Sequence, residues 1–69
     1  MLVRSDIGGV VSKIQVAVGE EVTADDVLMI LESMKMEVPI SAPVAGKVRS
    51  IAVAEGEVVK EDDLLVVLD

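Results

Sequence analysis

The sequence predicts an all-β domain, a sandwich or flattened barrel closed over one aliphatic core. Three observations carry this. The apolar residues are rich in valine and isoleucine with no Phe, Tyr or Trp, and β-branched side chains favour extended backbone and pack well on a pleated surface. The apolar runs are short or alternate with polar residues, so no helix is required. The chain is also written twice. Displaced by 37 positions, Gly9, Val11, Ile14, Val16, Gly19, Val22 and Leu28 fall on Gly46, Val48, Ile51, Val53, Gly56, Val59 and Leu65. The 69 residues are therefore one domain, with repeats 1–32 and 38–69 joined by 33–37, and a repeat dictates architecture before any local pattern does.

The elements follow in order. Met1–Ser5 is an opening strand, and turn chemistry from Asp6 to Gly9 predicts a bend at Gly8-Gly9. Val11–Val18 alternates, with Ile14, Val16 and Val18 on one face and Lys13, Gln15 and Ala17 on the other, as a half-buried strand should. Gly19 ends it, Glu20–Val22 is a very short strand, Thr23–Asp26 a polar turn, and Val27–Leu31 a buried strand. The second copy repeats the plan through a bend at Pro43–Gly46, alternation over Lys47–Ala54, a brief strand at Glu57–Val59, a turn at Lys60–Asp63 and a closing strand at Leu64–Leu68. If a twofold axis relates the halves, the separation of residues 1 and 69 equals that of 38 and 32. The hairpin between the copies then places both chain ends close together, at the pole opposite its tip.

Composition narrows the function. A chain this small buries only about 60% of the surface it exposes when unfolded. With no cysteine and no histidine, it has neither a disulfide framework nor a Cys/His metal site to help. Thirteen acidic against six basic residues give a formal net charge of −7, which repels nucleic acid and anionic membranes. No apolar run approaches the roughly 20 residues of a membrane span, and no secretory signal opens the chain, so the expected location is cytoplasmic. The recurring carboxylate pairs Glu20/Glu57, Asp25/Asp62 and Asp26/Asp63 read as solvated turns rather than catalytic groups.

Only Ser33-Met34-Lys35-Met36-Glu37 has no counterpart in the repeat. A tight hairpin must turn here, and such turns favour Asn, Asp or Gly because their central residues need positive φ. Met34-Lys35-Met36 supplies none of these. A lone lysine is ordinarily a solvated charge and a methionine pair ordinarily core filling. Two methionines at the tip of a small barrel cannot both be buried, however, and they form an adaptable apolar contact on either side of a primary amine.

With Leu31-Glu32 before it, the stretch Leu31–Glu37 resembles the attachment motif of biotin carboxyl carrier domains, within the wider biotinyl/lipoyl attachment family. Ala42-Pro43-Val44-Ala45-Gly46 and Gly56-Glu57-Val58-Val59 are also similar to that family, and the resemblance runs through the whole chain. It implies two four-stranded antiparallel sheets with internal pseudo-twofold symmetry, a barrel-sandwich hybrid. It implies further that a biotin protein ligase acylates Lys35 with biotin, reading Met34, Met36, Glu32 and Ser33 as its recognition marks. The domain would then be a non-catalytic, monomeric carrier that shuttles an activated carboxyl group from a biotin carboxylase to a carboxyltransferase. The first half aligns with the second without a gap across Val10–Gly19, so the protruding thumb of some carrier domains has no room and the arm is expected to be unshielded. Three other readings stand beside this one, the first being a dual attachment protein that accepts biotin and lipoate at the same lysine. A lipoyl carrier uses the same fold and lysine with lipoate as its cofactor, but more often has Asp before the lysine and Ala after it. An unmodified structural module would leave Lys35 free.

Overall fold

The computed structural model describes all of residues 1–69, and every regular element in it is a strand. They are β1 (Leu2–Arg4), β2 (Gly9–Ile14), β3 (Glu21–Val22), β4 (Val27–Ser33), β5 (Met36–Ser41), β6 (Gly46–Ile51), β7 (Val58–Val59) and β8 (Leu64–Leu68). They form two four-stranded sheets, ordered β1-β8-β6-β3 and β5-β4-β2-β7, with every pairing antiparallel. Adding 37 to the bounds of β2 and β3 gives those of β6 and β7, and the same shift carries one sheet order onto the other. The expected all-β sandwich with internal twofold symmetry is the observed fold.

Each sheet takes its two central strands from one half and its two edge strands from the other. The core is correspondingly joint property. The fourteen buried residues are seven pairs related by the repeat: Val3/Ile40, Ser5/Ala42, Val11/Val48, Val22/Val59, Leu28/Leu65, Met29/Val66 and Leu31/Leu68. Ser5 is the one polar member, and its hydroxyl is satisfied locally by donating to the Ile7 carbonyl. A buried hydroxyl needs such a partner.

The turns are laced across the halves in the same duplicate fashion. Asp25 N–H donates to the Ala42 carbonyl (2.8 Å) and Ala42 N–H to the Asp26 carbonyl (2.8 Å). In the other copy, Asp62 N–H donates to Ser5 (2.7 Å) and Ser5 N–H to Asp63 (2.9 Å). The recurring acids are turn-formers as well as solvated charges. Asp26 and Asp63 accept from Thr23 N–H and Lys60 N–H at 2.9 and 2.8 Å, and Glu20 and Glu57 accept from Ala17 N–H and Ala54 N–H at 3.2 and 3.1 Å. The chain ends are adjacent, as symmetry requires: the Met1 ammonium donates to the Leu68 carbonyl and Leu68 N–H to the Met1 carbonyl, each at 2.8 Å.

Two local expectations are corrected. The strand predicted over Val11–Val18 stops at Ile14, and a register shift between Val11 and Lys13 changes its phase. Ile14 and Val16 still pack on the core, but Val18 is exposed in the turn before Gly19. The chain is crossing between the sheets there, and period-two alternation holds only along one ladder. The bend predicted at Gly8-Gly9 falls instead at Asp6-Ile7, and Gly9 opens β2. Its lack of a side chain has a different cause: a Cβ on Gly9 would lie 2.6 Å from the Glu32 carbonyl oxygen, and one on Gly46 would lie 2.6 Å from that of Asp69.

Two outcomes follow for stability. Asp25 and Asp62 both adopt φ of 73°, a left-handed conformation that glycine enters with less strain. Asp25→Gly and Asp62→Gly should each stabilise by about 0.5 kcal/mol, read as a rise of a few degrees in melting temperature. Gly9→Ala should destabilise by about 1–3 kcal/mol in urea unfolding, because the intruded atom is backbone and cannot rotate away.

Candidate functional site

The β4–β5 hairpin is built from a buried base and a bare tip. Along β4, Leu28, Met29 and Leu31 are buried, while Glu32 is exposed and Ser33 half-buried. The ladder to β5 pairs Leu31 with Val38, Glu32 with Glu37 and Ser33 with Met36, leaving Met34-Lys35 as a two-residue turn. Both central residues have positive φ, 51° at Met34 and 65° at Lys35. That is the type I′ geometry whose backbone twist matches the flanking strands and for which Asn-Gly is the usual choice. Non-glycine residues held there cost about 1 kcal/mol or more each, and such strain clusters where a site requires particular side chains.

The side chains around the tip are free. Met34 is 89% exposed and Met36 61%, in agreement with the expectation that the two could not both be buried. Lys35 is exposed, and the one ion pair in the structure joins Arg49 to Asp69 at 3.7 Å, so no carboxylate holds its ammonium. Two surface hollows, of about 270 and 400 Å³, are lined by other parts of the chain and include no residue from 32 to 37. A group carried on Lys35 therefore has no cavity of this domain to retreat into. Glu32 and Glu37, directly opposite each other and both exposed, put two like charges side by side, a mildly destabilising cross-strand pair.

The structure brings together every residue singled out in the sequence: Glu32, Ser33, Met34, Lys35 and Met36 lie on one hairpin. What the sequence reading missed is Gly9, whose backbone packs beneath the Glu32 carbonyl, three residues from Lys35. The signal was present, since Gly9 and Gly46 are glycines at equivalent positions inside strands, and glycine within a strand marks a close backbone approach.

The arrangement fits covalent attachment of a small acid to an amine. A primary amine stands at an apex reached from all sides, on a base too well packed to move with it. No group of three or more Asp or Glu side chains is placed to hold a metal ion, and no carboxylate is ion-paired with Lys35.

Comparison with known proteins agrees with this geometry. The family model described as biotin-requiring enzyme matches residues 2–68. The biotinylated protein TB7.3 homolog of Mycobacterium leprae (strain TN) is 46% identical over 43 residues, which cover 62% of this chain and 61% of that protein. Among solved structures, the urea carboxylase of Kluyveromyces lactis superposes over 100% of this chain with a TM-score of 0.95 and 36% identity. A single-chain, multi-domain long-chain acyl-CoA carboxylase does so over 96% with a TM-score of 0.90 and 30% identity. The chain corresponds to 6% and 7% of those two much longer proteins. With the model matched almost from end to end and the same sheets recurring within two carboxylases, the chain belongs to the biotin/lipoyl family of biotin-requiring enzymes.

Proposed function

We propose that this domain is a biotin carboxyl carrier whose attachment point is Lys35, acylated on its ε-amine by a biotin protein ligase. The observation that carries the proposal is the position of Lys35: an unpaired amine at the apex of a rigid hairpin, in a chain of a biotin-requiring family. Biotin, when bound, supplies a ring nitrogen that accepts and gives up a carboxyl group. The protein's own work is mechanical. β4 and β5 hold the Lys35 backbone in a fixed place, the four-carbon side chain supplies reach, and the absence of a nearby hollow leaves the arm unshielded. A short tether keeps its load at an effective concentration on the order of millimolar, so delivery between a biotin carboxylase and a carboxyltransferase becomes intramolecular in character. No residue of the domain takes part in bond making beyond the Lys35 amide, and the cofactor carries the chemistry.

Met34 and Met36 would be the marks read by the ligase. They are flexible and polarizable side chains, suited to adaptable contacts, and they stand exposed on either side of the amine. Glu32 and Ser33 complete the recognition stretch on the strand that leads into the turn.

The attachment is tested by co-expression with a biotin protein ligase and, separately, with a lipoate ligase, followed by intact mass. One biotinyl group on the parent chain and none on Lys35→Arg is the expected result, and lipoylation alone would make the lipoyl reading correct. A second experiment concerns the turn. Replacing Met34-Lys35 by Asn-Gly should raise stability by about 1–2 kcal/mol while abolishing attachment, measured by thermal melting and mass. A variant no more stable than the parent would show that the turn is unstrained.

A further inference from the structure

Positions related by the repeat have the same backbone surroundings, so where their side chains differ, the fold has not required the difference. On the outer face of the sheet that carries the tip, the register aligns one row across all four strands: Glu37, Glu32, Val10 and Val58. All four are exposed, Val10 at 39% and Val58 at 69%. The equivalent row of the other sheet is Asp69, Lys47 and Glu21, tied by the Glu21–Lys47 pairing and by Asp69 N–H donating to the Lys47 carbonyl (2.8 Å). That row is charged throughout and alternates in sign, with Asp69 also ion-paired to Arg49 at 3.7 Å, so opposite charges adjoin where it faces water.

The row beside the tip does neither. It places two like charges together and then two bare valines, at positions where the same fold accommodates lysine and glutamate. The next row inward is alike in its first two members, Pro39 and Ile30 corresponding to Leu2 and Val67, and continues to Lys13 in one sheet and Ser50 in the other. Exposed valines in place of charged residues occur in the row nearest Lys35, whereas the next row differs in charge only in carrying Lys13 where its counterpart carries Ser50. The strip spans three inter-strand spacings, about 14 Å, and begins one residue pair below Ser33–Met36. An enzyme that receives the Lys35 amine in its cleft must overhang this strip. A stable protein–protein contact covers about 800 Å² on each side, more than a tip of five residues supplies.

We propose that Glu37, Glu32, Val10 and Val58 form a docking strip for the ligase that acylates Lys35, its complement being a cationic side chain set against the acid pair and an apolar depression that takes Val10 and Val58. The proposal rests on the attachment reading above and extends it from the tip to the neighbouring sheet. Val10 and Val58 provide area, and Glu32 and Glu37 provide orientation and an encounter rate that falls with salt.

The test is the steady-state rate of biotin transfer by a biotin protein ligase, with ATP and biotin, as a function of carrier concentration. The decisive variant gives the strip the residues of its sister row, Val10→Lys with Val58→Glu. Its control, Lys47→Val with Glu21→Val, makes the reverse exchange. The strip variant should show kcat/KM about tenfold lower, through KM with kcat little changed, while the control stays within about twofold of the parent. Thermal melts establish that both are folded; should the double exchange not fold, Val58→Thr carries the test with an expected rise in KM of about threefold. An unchanged KM in a folded strip variant overturns the docking proposal and leaves attachment at Lys35 standing. A parent chain that accepts no biotin overturns both.

Discussion

Neither half of this chain can complete a sheet or a core without the other, and the rest of the structure depends on that constraint. Each half contributes two central strands to one sheet and two edge strands to the other, and each buried residue has a buried equivalent in the other half. Without aromatic residues or cysteine, the domain draws its stability from aliphatic burial and from hydrogen bonds that cross between the halves at Ser5 and Ala42. In so small a body such interdependence makes unfolding all-or-none. That gives the hairpin a stiff foundation, because its strands are anchored by Leu28, Met29 and Leu31 in the shared core.

The tip inverts the chemistry of its base. Below it, apolar side chains are inside and the recurring acids satisfy turns. At the tip, methionines face water, a lysine occupies a backbone conformation that glycine would adopt more readily, and two glutamates face each other. Local rules are broken together in one place while they are obeyed elsewhere, the pattern expected where side-chain identity has been kept for contact with something else. The approach of the Gly9 backbone to the Glu32 carbonyl fixes the level at which the exposed part begins.

Much of this was legible in the chain. The 37-residue displacement located both members of most strand pairs, because a duplicated sequence must repeat its strands, and the poor turn chemistry of Met34-Lys35 marked the tip. The phase of β2 was not legible: strict alternation sets Val11 on the face of Lys13, Gln15 and Ala17, yet Val11 is buried, because the irregularity before Lys13 depends on the partner strand β4 and leaves no local mark. The exchange of edge strands between sheets was hidden for the same reason, since alternation says which side chains point inward but not which strand lies alongside. Val10 and Val58 are 48 positions apart in the chain. Only the register between β2 and β7 makes them neighbours.

The pairing of the first and last strands has one more consequence. β1 and β8 are the symmetry equivalents of β5 and β4 and lie side by side as those two do, yet they are the opposite extremes of the chain and no turn joins them. Duplication thus produced two identical frames but closed only one into a loop. Under the attachment proposed at Lys35, each folded unit carries one group, on its one closed hairpin.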